Sequence, residues 1–144
     1  MTISQTATTS FKVELAQGLH NFGPTAPNTF KIALYTSSAS LGSTTTAYTA
    51  TGEVANGSGY ATGGETLVVS TTPTSSGIIM YLSFSDVTWA GASFTARGAL
   101  IYNSTNSNRS VAVLDFATDQ TGTGNNFIIR FPSSNVTSAI IRIS

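Results

Sequence analysis

The residues that could carry chemistry in this chain are few and lie far apart in the sequence. His20 is the only histidine among 144 residues, and there is no cysteine. A catalytic interpretation would make His20 a general base beside one of the many serines. Its place at the end of a predicted helix favours a structural role, because an imidazole there can bond to the last helical carbonyls. The Gly-x-Ser-x-Gly motif that marks the nucleophile of many hydrolases is absent from the sequence.

The acidic residues form no recognisable catalytic or metal-binding motif. A glycosidase needs two carboxylates flanking a cleft, and the closest pair in sequence is Asp115 and Asp119. Asp119 lies just before the turn-forming Gly122-Thr123-Gly124, so turn capping is the better interpretation. The glycine-rich residues 57–64 lack the Lys-Ser/Thr ending of a phosphate-binding loop. We therefore expect no enzymatic activity and no catalytic, cofactor or metal residue, while calcium or glycan binding by a loop stays open.

Arg97 and the aromatic residues have uses outside catalysis. Arg97 interrupts the apolar segment Phe94–Tyr102. This leaves two alternatives, a solvated position or a pair with a carboxylate such as Asp86 or Asp115. We favour a paired Arg97 near an interface. Trp89 and the five tyrosines would suit a sugar-binding face, but we favour the core and interface positions that aromatic residues commonly occupy.

The composition excludes several classes of protein. Charged residues are only 8% of the chain, against roughly 25% in an average soluble domain. The six basic residues are scattered rather than clustered, so nucleic acid is not an expected partner. The apolar runs are much shorter than a membrane span, and residues 1–10 lack the basic and apolar regions of a secretory signal. Zero net charge gives little repulsion between copies, which suits a protein that ends in an assembly.

The first 22 residues are predicted to form a flexible arm and a helix. Residues 1–10 are polar and without period, so we expect an arm that orders only against a partner. A helix is predicted over residues 11–22, with Ser10 as its N-cap and Gly23-Pro24 as its stop. Four apolar residues recur at helical spacing and should pack against the rest of the fold: Phe11, Leu15, Leu19 and Phe22.

The rest of the chain is predicted to be β structure. The loop over residues 37–46 is too rich in Ser, Thr and Gly to hold a shape without a partner. Helical segments between strands are not expected, which argues against βαβ units. The expected fold is all-β, an antiparallel β-sandwich and most simply an eight-stranded jelly roll, forming one domain over residues 11–144 that includes the helix. Strands are expected around Phe30–Leu34 and at residues 48–54, 65–70, 78–84, 94–102, 111–116, 127–131 and 139–143.

Several segments resemble small virion structural proteins of tailed bacteriophages. The residues Phe11–Phe22 followed by Phe30–Ser37 are similar to the opening of such proteins, and the most specific similarity is the string Arg97–Asn103. Within that group the chain most resembles capsid cement, or decoration, proteins of jelly-roll type. Shorter similar strings lie at residues 47–49, 59–64 and 87–89.

This resemblance implies a protein without catalytic or metal residues that binds the outer surface of an icosahedral capsid. It would clamp neighbouring subunits of the major capsid protein after synthesis in the host cytoplasm. Two alternatives stay open: a neck, tail or fibre-base protein of the virion, and a carbohydrate-binding β-sandwich module.

The expected partners are the major capsid protein and further copies of this chain, with neither nucleic acid nor a membrane involved. Strands that are apolar on both faces, as at Ile78-Ile79-Met80, predict a homo-oligomer, most simply a two-fold dimer. The residues expected at the partner interface come from the arm, the polar loop and the Arg97 strand: Thr2, Ile3, Gln5, Leu41, Thr45, Arg97 and Tyr102.

Overall fold

A computed structural model describes residues 2–144 and has antiparallel β-sheets with one short helix. The described strands form sheets of five, three and two strands, in the orders β1-β8-β7-β2-β3, β10-β5-β4 and β6-β9. No helix in this part of the chain has the length and apolar character needed to cross a membrane. The elements are β1 Thr6–Ala7, α1 Thr9–Ala16, β2 Phe30–Tyr35, β3 Glu65–Thr66, β4 Val69–Ser76, β5 Ile79–Phe84, β6 Val87–Ala92, β7 Thr95–Asn103, β8 Arg109–Thr121, β9 Asn125–Ile129 and β10 Ile141–Ile143.

Strand β2 is covered on both faces and separates two hydrophobic clusters. Phe30, Ile32 and Leu34 lie in the larger cluster, whereas Ala33 and Tyr35 lie in the smaller one. Alternate side chains of a strand point to opposite faces, so this division is what two-sided burial requires. The cover on the second face comes from the same chain, through Ile3, Ala39 and Leu41. A neighbouring subunit is therefore not needed to bury this strand.

The larger cluster is rich in aromatic side chains drawn from all three sheets. Phe22 stacks on Phe30 with 4.2 Å between ring centroids, and Trp89 lies edge-on to Phe127. Trp89 is only 1% exposed. Burying a large apolar side chain contributes about 1.5–3 kcal/mol, so these rings supply much of the stability of the fold. The core position favoured for Trp89 is confirmed.

Helix α1 is shorter than the helix predicted over residues 11–22. Its N-cap is Thr8 rather than Ser10, and the Thr8 hydroxyl accepts a hydrogen bond from the amide of Phe11 at 3.3 Å. The helix ends because Gly18 adopts a φ of 74°, the left-handed conformation that closes many helices. Of the predicted stripe, the two phenylalanines are buried, while Leu15 and Leu19 are only partly buried.

The segment expected to be a flexible arm packs against the body of the protein, so that expectation is wrong for the described residues 2–10. Thr6 and Ala7 pair with β8, and Ile3 forms a parallel bridge with Leu41. Backbone hydrogen bonds join the arm to the polar loop at 2.9 and 3.0 Å. The arm and the loop over residues 37–46 thus order each other within one chain. Met1, the first residue of the predicted arm, lies outside the described residues.

Several strand predictions need correction. Residues 48–54 form no strand and contribute only an isolated bridge at Glu53. Strand β6 was not expected, and β8 continues five residues past the predicted end at Phe116. The predicted apolar face of β5 begins outside the core, because Ile78 is 90% exposed next to the β4–β5 turn. The antiparallel β-sandwich class is confirmed, but the strand order does not establish a jelly roll.

Candidate functional site

Arg97 lies beside a bulge in β8 that brings two carboxylates to it. Strand β7 pairs Gly98 with Asp115 and Ala96 with Gln120, so four residues of β8 face one residue of β7. Bulges of this kind bend a strand and redirect its side chains. The result places Asp115 3.8 Å and Asp119 3.7 Å from the Arg97 guanidinium. The predicted pairing of Arg97 with a carboxylate is confirmed for Asp115, and Asp119 joins it.

The Arg97 cluster is suited to recognition rather than catalysis. The side chain of Arg97 is 37% exposed, and exposed ion pairs contribute about 0–1 kcal/mol. Its Nε atom is buried without a hydrogen-bond partner among the described residues. The accessible N–H groups of the guanidinium can donate to a further carboxylate or carbonyl oxygen. The cluster can therefore contact a partner without contributing much to folding.

His20 lies in a buried polar network below the end of α1. Its Nε2 atom is 3.2 Å from a Glu14 carboxylate oxygen, and its Nδ1 atom is 3.1 Å from the amide nitrogen of Asn103. The Asn103 amide nitrogen can only donate, so Nδ1 accepts, and the protonated Nε2 donates a hydrogen bond to Glu14. Glu14 is also bound by Arg109. Burial lowers the pKa of His20 below its ordinary value, against the opposing effect of Glu14.

This network contains the histidine and carboxylate of a catalytic triad, but the groups bonded to His20 include no nucleophile. Both ring nitrogens of His20 are engaged by Glu14 and Asn103, so neither is free to take a proton from a hydroxyl. Asn103 is fully buried and also donates to the side chain of Asn28. The network joins α1 to the end of β7, and its role in the structure is to hold those two elements together.

Glu53 organises a second polar cluster, built from tyrosines. Its carboxylate accepts hydrogen bonds from Tyr48 and Tyr60, both at 2.6 Å, and from the amide of Gly63 at 2.7 Å. Tyr102 donates to the Gly63 carbonyl at 2.6 Å, and burial raises its pKa to about 12. These hydroxyls are therefore neutral donors at ordinary pH, and their role is to fix the glycine-rich segment over the sheet.

The residues predicted to contact a partner divide into buried and accessible groups. Ile3, Leu41 and Tyr102 are buried in the smaller hydrophobic cluster, so they cannot form a contact surface in this conformation. Thr2 and Gln5 are exposed, and the Gln5 side chain accepts from the amide of Asp115. Thr45 and Arg97 are partly exposed. Three of the seven predicted contact residues therefore lie in the interior, and the other four are at least partly exposed.

Trp89 and three of the five tyrosines lie in the interior. A sugar-binding platform needs exposed rings, whereas Trp89, Tyr35, Tyr60 and Tyr102 are buried. The described residues contain no group of three or more His, Asp or Glu side chains that could hold a metal ion.

An apolar groove, which the sequence did not predict, runs between α1 and β10. Its cavity is about 440 Å³. Phe11, Leu15, Ala112 and Ile141 are among its apolar lining residues, and Lys12 and Arg142 are the charged ones. Neither local periodicity nor a motif could reveal it, because it arises where the edges of two sheets meet.

Comparison with known proteins adds no relative to this description. No family model, curated protein or solved structure matches the chain. The fold and the side-chain arrangement therefore provide the structural grounds for considering its function.

Proposed function

We propose that this chain is a structural protein of a tailed-phage virion that binds the outer capsid surface and clamps neighbouring major capsid subunits. The binding role is supported by the contrast between the buried polar and the exposed apolar side chains. The buried polar groups around His20 form hydrogen bonds within their own cluster, and so do those around Glu53. Large apolar side chains, in contrast, remain at the surface. These are Val13, Val68, Ile78, Ile128 and Ile143.

The assignment to the capsid rests on the sequence resemblance, above all on Arg97–Asn103. In the fold this string lies in β7, at the centre of the five-stranded sheet. A protein that binds only the assembled shell stabilises it by mass action, since the free subunits lack the composite surface. No chemical step is needed for that role.

Binding to capsids that lack the chain tests this proposal. The full-length protein is added to such capsids, and its occupancy and the resistance of the shell to heat are measured. We expect saturable binding and a higher temperature of shell disruption. Binding confined to the portal vertex or tail would instead assign the chain to the neck, tail or fibre base, and no binding to any part of the virion would overturn the proposal.

Matched variants test whether the exposed apolar residues make the contact. Val68 and Ile78 are exposed near the two ends of β4, so replacing both by Ser should leave folding intact and reduce occupancy. Replacing the exposed Ser70 and Ser76 of the same strand by Ala is the control. Equal occupancy of both variants would show that this hairpin is not part of the contact.

We also propose that the free protein associates with itself, most simply as a two-fold dimer. Support comes from the zero net charge of the chain and from the exposed apolar side chains, which together favour association. Light scattering across micromolar concentrations tests this. A monomer at high micromolar concentration would contradict it.

A further inference from the structure

The apolar groove lies between the free edges of two different sheets. Strand β1 pairs only with β8, and β10 pairs only with β5, among the described strands. Consecutive residues of both strands line the groove, Thr6 and Ala7 on one side and residues 140–143 on the other. A cavity on one face of a sheet would be lined by every second residue of a strand, because successive side chains point to opposite faces. A cavity lined by consecutive strand residues therefore lies at the edge of the strand.

Unpaired strand edges present backbone donors and acceptors to whatever enters. An extended peptide satisfies such groups by adding a strand, and pockets beside the edge then select its alternate side chains. The apolar floor formed by Phe11, Leu15 and Leu114 suits apolar side chains on the inner face of that peptide. A second cavity of about 370 Å³, which shares Phe11, Leu15, Ile141 and Ile143, extends the apolar surface past β10.

The charged residues of the groove are both basic, which favours an occupant that carries a negative charge. Lys12 and Arg142 line it, and no carboxylate is among the described residues that line either cavity. The other three arginines, Arg97, Arg109 and Arg130, each lie beside a carboxylate. Among the described residues, the one hydrogen-bond contact of the Arg142 side chain is a long one to the Val136 carbonyl, at 3.4 Å. In a chain of zero net charge, this local pair of cations is complementary to an acidic residue.

We propose that the groove between β1 and β10 binds an extended segment of a partner protein, with alternating apolar side chains and a carboxylate that lies against Lys12 and Arg142. That the occupant of the groove is a protein rests on the proposed function, in which the chain docks on other virion proteins. Because β1 and β10 belong to different sheets, the bound segment would bridge the five-stranded and three-stranded sheets.

Blocked synthetic peptides of seven residues test the groove directly with the full-length protein. One peptide alternates Val with Thr and carries a single Asp, and its matched control carries Lys in place of Asp. Dodecanoate, an apolar anion without a peptide backbone, is the third probe. The measurement is the shift of backbone amide signals in two-dimensional nuclear magnetic resonance spectra as each probe is added.

We expect the Asp peptide to shift the amides of Thr6, Ala7 and residues 141–143, and to bind about tenfold more tightly than the Lys peptide, which corresponds to about 1.4 kcal/mol. The preference should disappear in Arg142→Gln and persist in Arg130→Gln, the matched loss of an arginine elsewhere. Equal binding of the two peptides, or shifts away from β1 and β10, would overturn the proposal. Binding of dodecanoate without peptide binding would overturn it as well and make the groove a site for apolar anions.

The capsid assay separates failure of the groove from failure of the proposed function. Arg142 is exposed, so Arg142→Glu should fold and should lose capsid occupancy if the groove is the docking site. Normal occupancy of Arg142→Glu would reject the groove and leave the capsid role standing. Peptide binding in the groove without any binding to virions would reject the capsid role and leave the groove standing.

Discussion

Replacement of Ile3 by Ala distinguishes a docked N-terminal segment from a free one. Ile3 is only 7% exposed and packs with Leu41, Tyr102 and Val113. The substitution removes three carbon atoms, each worth about 0.8 kcal/mol on transfer from water. With the cavity that remains, we expect a loss of about 2–4 kcal/mol of unfolding free energy. For a chain of this length that corresponds to a fall of about 7–13 °C in the melting temperature.

Urea denaturation followed by circular dichroism measures this loss, and an unchanged slope of free energy against urea shows that the two-state comparison is valid. Ile78→Ala is the matched control, because the same atoms are removed from a side chain that is 90% exposed. It should change the stability by less than about 0.5 kcal/mol. If Ile3→Ala is as harmless as Ile78→Ala, the N-terminal segment is a free arm in solution and its docking described here is wrong.

Three other perturbations test particular contacts. Leu15→Ala should lower the unfolding free energy by about 1–2 kcal/mol, less than a fully buried leucine would, and a loss below about 0.5 kcal/mol in denaturant titrations would contradict the packing of α1. Burial lowers the pKa of His20 below 6.5, so near that pH the unfolded chain binds more protons at this residue than the folded chain does. The stability should therefore fall as the pH drops below about 6.5. The stability of His20→Gln should depend less on pH, and identical profiles for the two proteins would contradict this role. Gly64→Ala should prevent folding or lower the melting temperature severely, because the added carbon would lie 1.8 Å from the Ile32 carbonyl oxygen. Gly18 has a similar φ but open space around it, so Gly18→Ala should lower the unfolding free energy by only about 1 kcal/mol. Equal effects of the two substitutions would refute the clash at Gly64.

The fold class could be predicted because alternation along the sequence reflects one-sided or two-sided burial. Phe30, Ile32 and Leu34 alternate in the sequence and share one face of β2. The end of β8 could not be predicted in the same way, because residues 117–121 are all exposed and four of the five are polar. Their strand conformation depends on pairing with β7, and long-range pairing leaves no local pattern.

The docking of the N-terminal segment could not be predicted from the sequence for the same reason. Its composition is that of a flexible arm, and Ile3 is the one fully buried apolar side chain among the described residues 2–10, packing near Leu41. The sequence did indicate the Arg97–Asp115 pair, since a charge inside an apolar strand needs a partner. It could not indicate Asp119, because a bulge in β8 places that carboxylate beside Arg97.

The copy number and position of the chain in the virion test the proposed capsid role most directly. Virions of the phage proposed to encode the chain are purified, and the amount of the chain relative to the major capsid protein is measured by quantitative mass spectrometry. An image of the particles with this protein labelled gives its position. The capsid role predicts hundreds of copies distributed over the outer shell. A dozen or fewer copies at the neck or tail, or absence from the virion, would contradict it.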